Sequence, residues 1–172
     1  MSVSEEKVII LDFGSQYTQL IARRVRELNV YCEIQPYNKP IELSPGLKGV
    51  ILSGSPSSVR DDQAPVPDIS SVKGKFPVLG ICYGAQYLAH FFGGEVAPSN
   101  SREYGRASFE ISGTKSRLFS GIKNGSQVWM SHGDTIVRLP AGYFITGKTK
   151  DVSIGAFEVE SEDTFGIQFH PE

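Results

Sequence analysis

The chain has 172 residues, 40% of them apolar, 21% charged and 10% aromatic. Lys plus Arg is 17 against 19 for Asp plus Glu, a net charge of −2. That make-up fits one globular domain able to bury a full core, and it excludes a clustered basic surface for nucleic acid or a polybasic membrane anchor. Two cysteines, Cys32 and Cys82, are too few for a disulfide framework and lack metal-ligand spacing, so no metal site is expected. A reducing, cytoplasmic setting follows. No apolar run approaches the roughly 20 residues of a membrane span. Residues 1–6 are polar, without the pattern of a signal peptide, and are expected to be a flexible N-terminus.

In chain order, Lys7 to Phe13 is apolar on both faces and reads as a buried parallel strand. Gln16 to Leu28 changes to helical spacing through Leu20, Ile21, Arg24, Val25 and Leu28, with Ser15 as the N-cap. Val30 to Gln35 is a second strand, closed by Pro36. Gly49 to Leu52 is a third, running into Ser53-Gly54-Ser55-Pro56. Asp61 to Pro67 is a loop. Pro77 to Ile81 is a fourth strand, followed by a helix from Tyr83 to Phe92 that Gly93-Gly94 terminates. Beyond it, short strands are expected at 106–111, 127–130, 135–139, 144–149, 154–159 and 165–169, with little helical periodicity. The predicted fold is α/β: an open, mostly parallel sheet flanked by helices, with antiparallel strands added at one edge.

Gly80-Ile81-Cys82-Tyr83-Gly84 is the sharpest chemical signal. It stands between an apolar strand and a helix, the setting of a nucleophile elbow. Glycines on both sides leave room for a tight turn that lifts the side chain above the sheet edge. A helix N-terminus beneath it favours a thiolate, and the N–H of Tyr83 is placed for a developing oxyanion. The pattern would arise by chance roughly 0.02 times in such a chain. Cys32, inside a strand, reads as a packing residue.

A thiol nucleophile needs a base, and the chain offers His90, His132 and His170. His90 lies more than two helical turns from the elbow. His132, read as part of a loop at Ser131 to Asp134, and His170, at a strand end with Glu172 two residues on, both remain candidates. Gly54, at the exit of the third strand, is the candidate second oxyanion donor. The same loop lacks the Lys-Ser/Thr of a phosphate-binding motif.

Gly80 to Gln86, Ser131-His132-Gly133-Asp134 and His170-Pro171-Glu172 together resemble the class I (triad) glutamine amidotransferases, over Lys7 to Glu172. The run from Leu11 to Arg24, with Arg102-Glu103-Tyr104-Gly105 and Trp129 to Asp134, is similar to the glutaminase domains of the GMP synthetase subfamily. The resemblance implies hydrolysis of the glutamine side-chain amide through a Cys82 thioester. The ammonia would aminate xanthosine 5′-monophosphate to GMP in a partner ATP pyrophosphatase (synthetase) domain. It implies Cys82, His170 and Glu172 as catalytic, Gly54 and Tyr83 as the oxyanion hole, and Gln86, Ser131 and His132 as glutamine-binding. No cofactor is implied here, with ATP and magnesium in the partner domain, and the full-length enzyme is expected to be a homodimer. Ser55 stands where the family usually has Gly. Residues 7–172 would form an amidotransferase domain truncated at its C-terminal end, the synthetase domain absent, with Glu172 fraying and its α-carboxylate altering the charge at His170. Three other readings remain open at this point. One is a glutaminase serving carbamoyl phosphate, anthranilate or CTP synthesis. Another is a stand-alone cysteine hydrolase of similar fold. The last is an interaction domain with a decayed site.

Overall fold

The structure is a computed structural model and describes residues 5–113 and 116–172, with the side chains of 101–103 outside that description. Residues 1–4 of the expected flexible segment, and the side chains of Arg102 and Glu103, therefore lie outside the described residues. The chain runs β1 (Lys7–Asp12), α1 (Thr18–Glu27), β2 (Tyr31–Pro36), β3 (Leu47–Leu52), β4 (Val78–Ile81), α2 (Tyr83–His90), β5 (Glu95–Ile111), β6 (Ser126–Arg138), β7 (Tyr143–Lys148), β8 (Ala156–Val159) and β9 (Thr164–Ile167). The strands form one sheet in the order β2-β1-β3-β4-β9-β8-β7-β5-β6. From β2 to β9 every neighbour is parallel; from β9 to β6 every neighbour is antiparallel. The expected α/β architecture is thus present, with β9 as the seam between the two halves.

Period-two alternation makes the sheet two-faced. Ile9 and Leu11 pack with Leu52, Val78 and the α2 residues Tyr83, Ala85, Leu88 and Ala89. Ile10 faces the other way, with Ile21 and Ala22 of α1, Cys32 and Ile81. Helices on opposite faces are what a parallel sheet with both faces apolar requires. Cys32 is 1% exposed and packs in this second core. No helix among the described residues is long and apolar enough to cross a membrane.

Four local expectations are corrected. The N-cap of α1 is Tyr17, with no side-chain cap. Ser15 instead closes a turn before the helix, its hydroxyl accepting the Tyr17 N–H at 3.0 Å. The buried stripe of α1 is Thr18, Ile21 and Ala22, while Leu20 and Leu28 are exposed. β5 begins at Glu95, well before residue 106, because antiparallel pairing with β6 carries its polar stretch in a two-stranded ribbon. Ser131 to Asp134 lies inside β6 and is no loop, and the ribbon absorbs its irregularity as a register shift opposite Pro98 to Glu103.

Three tyrosines line the α2 core. Tyr83 and Tyr87 donate to the Pro65 and Pro67 carbonyls at 2.6 and 2.9 Å. Burial pushes the phenols of Tyr83 and Tyr143 well above the usual range, and that of Tyr87 up to about 12. A folded-state pKa raised above the unfolded value of roughly 10 stabilises fully below pH 10 and is lost as pH climbs towards 12. Thermal melts followed by circular dichroism are expected to hold from pH 8 to 9.5 and fall by several degrees at pH 11. Tyr87→Phe should soften that alkaline loss.

Candidate active site

The elbow forms because three strands converge on it. The Cys82 N–H donates to the Ile167 carbonyl of β9 at 2.8 Å, and the Gly84 N–H to the Ser53 carbonyl after β3 at 3.2 Å. Cys82 sits at φ +52°, ψ −103°, a conformation that L residues hold only under strain. The flanking glycines are required by close approach. A Cβ on Gly80 would stand 2.5 Å from the Gly84 carbonyl carbon, and one on Gly84 would stand 2.5 Å from the Leu52 carbonyl oxygen. The first bond of α2 runs from the Gln86 N–H to the Cys82 carbonyl at 3.0 Å. The Tyr83 amide therefore belongs to the first turn, before the ladder begins.

His170 reaches Cys82 from the far side of the seam. Its backbone N–H bridges to the Trp129 carbonyl of β6 at 2.9 Å. Its Nδ1 lies 2.8 Å from Glu172 Oε1, with that carboxylate 4% exposed. Its ring is close enough to Cys82 for the two to act on each other's charge. Tyr17 packs edge-on against the ring at 5.4 Å between centroids. Gly54 lies against the other edge, the position of its missing Cβ being 3.4 Å from His170 Cε1. Burial works against a charged His170, but the hydrogen bonds and charges of Cys82 and Glu172 outweigh it and push the imidazole up to about 10.

His132 has the opposite balance. It is 4% exposed, and its Nδ1 lies 2.7 Å from the Asp134 carbonyl, so that nitrogen carries the proton. Burial, helped by the nearby His170, lowers its pKa despite that hydrogen bond. The two histidines are pushed to opposite charge states, a pattern that separates an acid–base group from a neutral neighbour.

These residues open on a cavity of about 750 Å³, lined among others by Cys82, Tyr83, Gln86, Ser131, His132 and His170. Ser131 meets Cys82 with its backbone, its carbonyl accepting from Cys82 Sγ at 3.7 Å. Gln86 is 4% exposed. Its Nε2 donates to the Asp134 carbonyl at 3.1 Å and to Gln168 Oε1 at 3.2 Å, so its amide is anchored to the protein at the cavity wall. The oxyanion-donor candidate Gly54 sits on a loop that Ser53 fixes, its hydroxyl accepting the Phe13 N–H at 3.0 Å and donating to the Gly54 carbonyl at 2.9 Å. Ser55 accepts the Ser57 N–H at 3.2 Å, which closes the next turn.

Two residues at the site were given no role from sequence. Asp134 fastens the rim, bonded by Ser58 and by Arg60 Nη2 at 3.1 Å. Gln168 is 1% exposed and donates to Cys82 Sγ at 3.6 Å. Its signal was available: one polar side chain inside the apolar run Phe165 to Phe169.

The family model described as glutamine amidotransferase class-I matches residues 9–172. The chain belongs to the class-I glutamine amidotransferases. It is 60% identical over 168 residues to the GMP synthase [glutamine-hydrolyzing] of Christiangramia forsetii, covering 98% of this chain and 33% of that protein. With the enzyme of the same name from Cytophaga hutchinsonii it shares 61% over 167 residues, 97% of this chain and 33% of the relative. The chain therefore spans about a third of the length of these curated relatives. Among solved members of the family, a Thermoplasma acidophilum protein described as one subunit of a GMP synthase superposes with TM-score 0.84 at 29% identity. That match covers 97% of this chain and 84% of the other. A glutamine amidotransferase of Thermotoga maritima shares the fold, with TM-score 0.76 at 21% identity over 96% of this chain and 76% of that one.

Proposed function

We propose that this domain hydrolyses the side-chain amide of glutamine and hands the ammonia to a synthetase domain that aminates xanthosine 5′-monophosphate to GMP. The observation that carries the reading is the Cys82–His170–Glu172 constellation, assembled in a strained elbow at the floor of a cavity. The sequence identity to enzymes named GMP synthase [glutamine-hydrolyzing] supports the choice of acceptor. ATP and magnesium are assigned to the partner domain and no cofactor to this one. The same reading places the full-length enzyme in the cytoplasm as a homodimer.

Cys82 attacks the glutamine Cδ as a thiolate, forming a C–S bond. The carbonyl electron pair moves onto oxygen, received by the N–H groups of Tyr83 and Gly54. Charged His170 gives its proton to the departing nitrogen, the C–N bond breaks, and ammonia leaves. Neutral His170 then takes a proton from water, whose oxygen attacks the thioester. The C–S bond breaks, glutamate forms, and Cys82 returns as thiolate beside charged His170. Glu172 holds Nδ1 and offsets the imidazolium charge. Gln86, Ser131 and His132 form the wall that receives the amino-acid end of glutamine.

The test is labelling with an electrophilic glutamine analogue followed by peptide mapping, with excess glutamine as competitor. A single adduct on Cys82 that glutamine suppresses supports the reading; indifferent labelling of Cys32 and Cys82 sinks it. Adding the synthetase domain, ATP, magnesium and xanthosine monophosphate should then yield GMP from glutamine nitrogen. No GMP under those conditions, with glutaminase activity intact, points to another acceptor.

The pH dependence carries a second test. Glu172→Gln leaves an acceptor for the His170 Nδ1–H but removes the negative charge that raises the His170 pKa. The alkaline limb of kcat is expected to move to lower pH, and kcat near pH 8 to fall at least about tenfold. Ammonia release measured from pH 6 to 10 decides it; an unmoved limb removes Glu172 from its assigned role.

A further inference from the structure

The sulfur of Cys82 meets three polar groups of opposite character. The Ser131 carbonyl, at 3.7 Å, can only accept. The other two, Gln168 Nε2 at 3.6 Å and the His170 ring, can donate. A carbonyl suits the neutral thiol, whose proton it receives. An N–H suits the thiolate.

Which end of the Gln168 amide faces sulfur is decided two residues away. The Asp134 carbonyl is an obligate acceptor, so Gln86 presents its Nε2 there, at 3.1 Å. The same nitrogen donates to Gln168 at 3.2 Å, so Gln168 must offer it oxygen. The Gln168 nitrogen is thereby left for Cys82. The Gln168 backbone is fixed as well, its N–H donating to the Gly155 carbonyl at 2.9 Å. Both side chains are buried, Gln168 being 1% and Gln86 4% exposed.

We propose that Gln168 holds the nucleophile as a thiolate, through a relay that runs from the Asp134 carbonyl by way of Gln86 and Gln168 to Cys82 Sγ. The proposal rests on Cys82 being the nucleophile of the reading above. In the first half-reaction the Gln168 N–H stabilises the attacking sulfur and then loses its charged acceptor as the C–S bond forms. In the second it receives the sulfur again as that bond breaks and the electron pair returns to the thiolate. Gln168 thus assists the leaving group of deacylation. The other titratable groups that line the cavity with Cys82, or touch those that do, are His170 and Glu172 beyond β9, His132 and Asp134 on β6, Tyr104 on β5, Arg60 beyond β3, Tyr17 beyond β1 and Tyr83 on α2. None of them is changed by substituting Gln168.

The experiment is alkylation of Cys82 by iodoacetamide as a function of pH, read by peptide mass on the 172-residue domain. Gln168→Met keeps the length of the side chain and removes the N–H. The midpoint of the alkylation profile is expected to rise by about one pH unit, with roughly tenfold slower labelling below it. Glutamine kcat should fall about tenfold with KM within about twofold. Gln168→Glu keeps the shape and puts acceptors against the sulfur, so its midpoint should rise further; it serves if the Met variant does not fold. A midpoint unmoved in a folded variant overturns the proposal. Alkylation needs no glutamine, so it tests Gln168 even where the wild type releases no ammonia, an outcome that would strike the amidotransferase chemistry instead.

Discussion

Cys82→Gly is expected to abolish glutamine hydrolysis and yet to give a more stable protein than Cys82→Ala. Both variants lose the sulfur proposed to form the thioester, and loss of a nucleophile costs about 10⁴-fold or more in kcat. They differ in the backbone. Alanine must still hold φ +52°, ψ −103°, whereas glycine adopts that conformation without a Cβ clash. The strain at such a residue is about 1–3 kcal/mol. Glycine should therefore melt about 2–12 °C above alanine in a domain of this size. At an ordinary helix start the order would be reversed, since glycine is the poorer helix former by roughly 1 kcal/mol. Melting curves of the two variants, beside an ammonia assay, settle it. Equal or inverted melting temperatures would mean that the elbow relaxes and stores no strain.

Gly84→Ala should damage both stability and rate. Its Cβ would stand 2.5 Å from the Leu52 carbonyl oxygen and 2.7 Å from Leu52 Cβ. Neither obstacle can rotate out of the way, because one is backbone and the other is bound directly to it. The start of α2 must lift off β3. Overpacking of this kind costs about 1–3 kcal/mol, or about 4–8 °C at the middle of that range. Lifting also strains the Gly84 N–H bond to Ser53, which ties the elbow to the Gly54 loop. A displacement of about 1 Å at a reacting group can cost about 10²-fold, so kcat should fall by that order. Gly133→Ala is the control for added bulk, since a Cβ there meets nothing within 4 Å; its melting temperature should match the wild type. A Gly84→Ala protein as stable and active as the wild type would sink the account of why this position lacks a side chain.

The parallel half of the fold was legible because its signals are local. β1 is apolar on both faces, α1 changes period after Gly14, and Gly93-Gly94 stops α2. The Cys82 elbow was legible for the same reason: strand, glycine, nucleophile, glycine and helix are contiguous. The antiparallel half was less so. Ser131 to Asp134 carries a glycine and three polar residues, which locally reads as a loop, and only pairing with β5 makes it strand. The outward face of the ribbon hides nothing, so Tyr104 and Trp129 stay exposed and give no burial pattern. Gln168 escaped notice because its partners, Cys82 and Gln86, lie 86 and 82 residues away, and no spacing rule spans that distance. Ser15 misled because a hydroxyl three residues before a helix can close a turn as readily as one at the N-cap can cap.

The seam at β9 also governs when the site can exist. β4 ends at Ile81 and pairs with β9, which starts at Thr164; the intervening chain contains the whole β5–β6 ribbon. Pairing across such a separation is the slow kind of contact in folding, because loop closure precedes any reward. The segment that carries Cys82 is contiguous in sequence, but the backbone anchor at Ile167 that helps set the elbow, and its imidazole partner, arrive only with that closure. A half-folded chain thus displays a cysteine without the groups that make it reactive, and chemical competence appears as a property of the completed sheet.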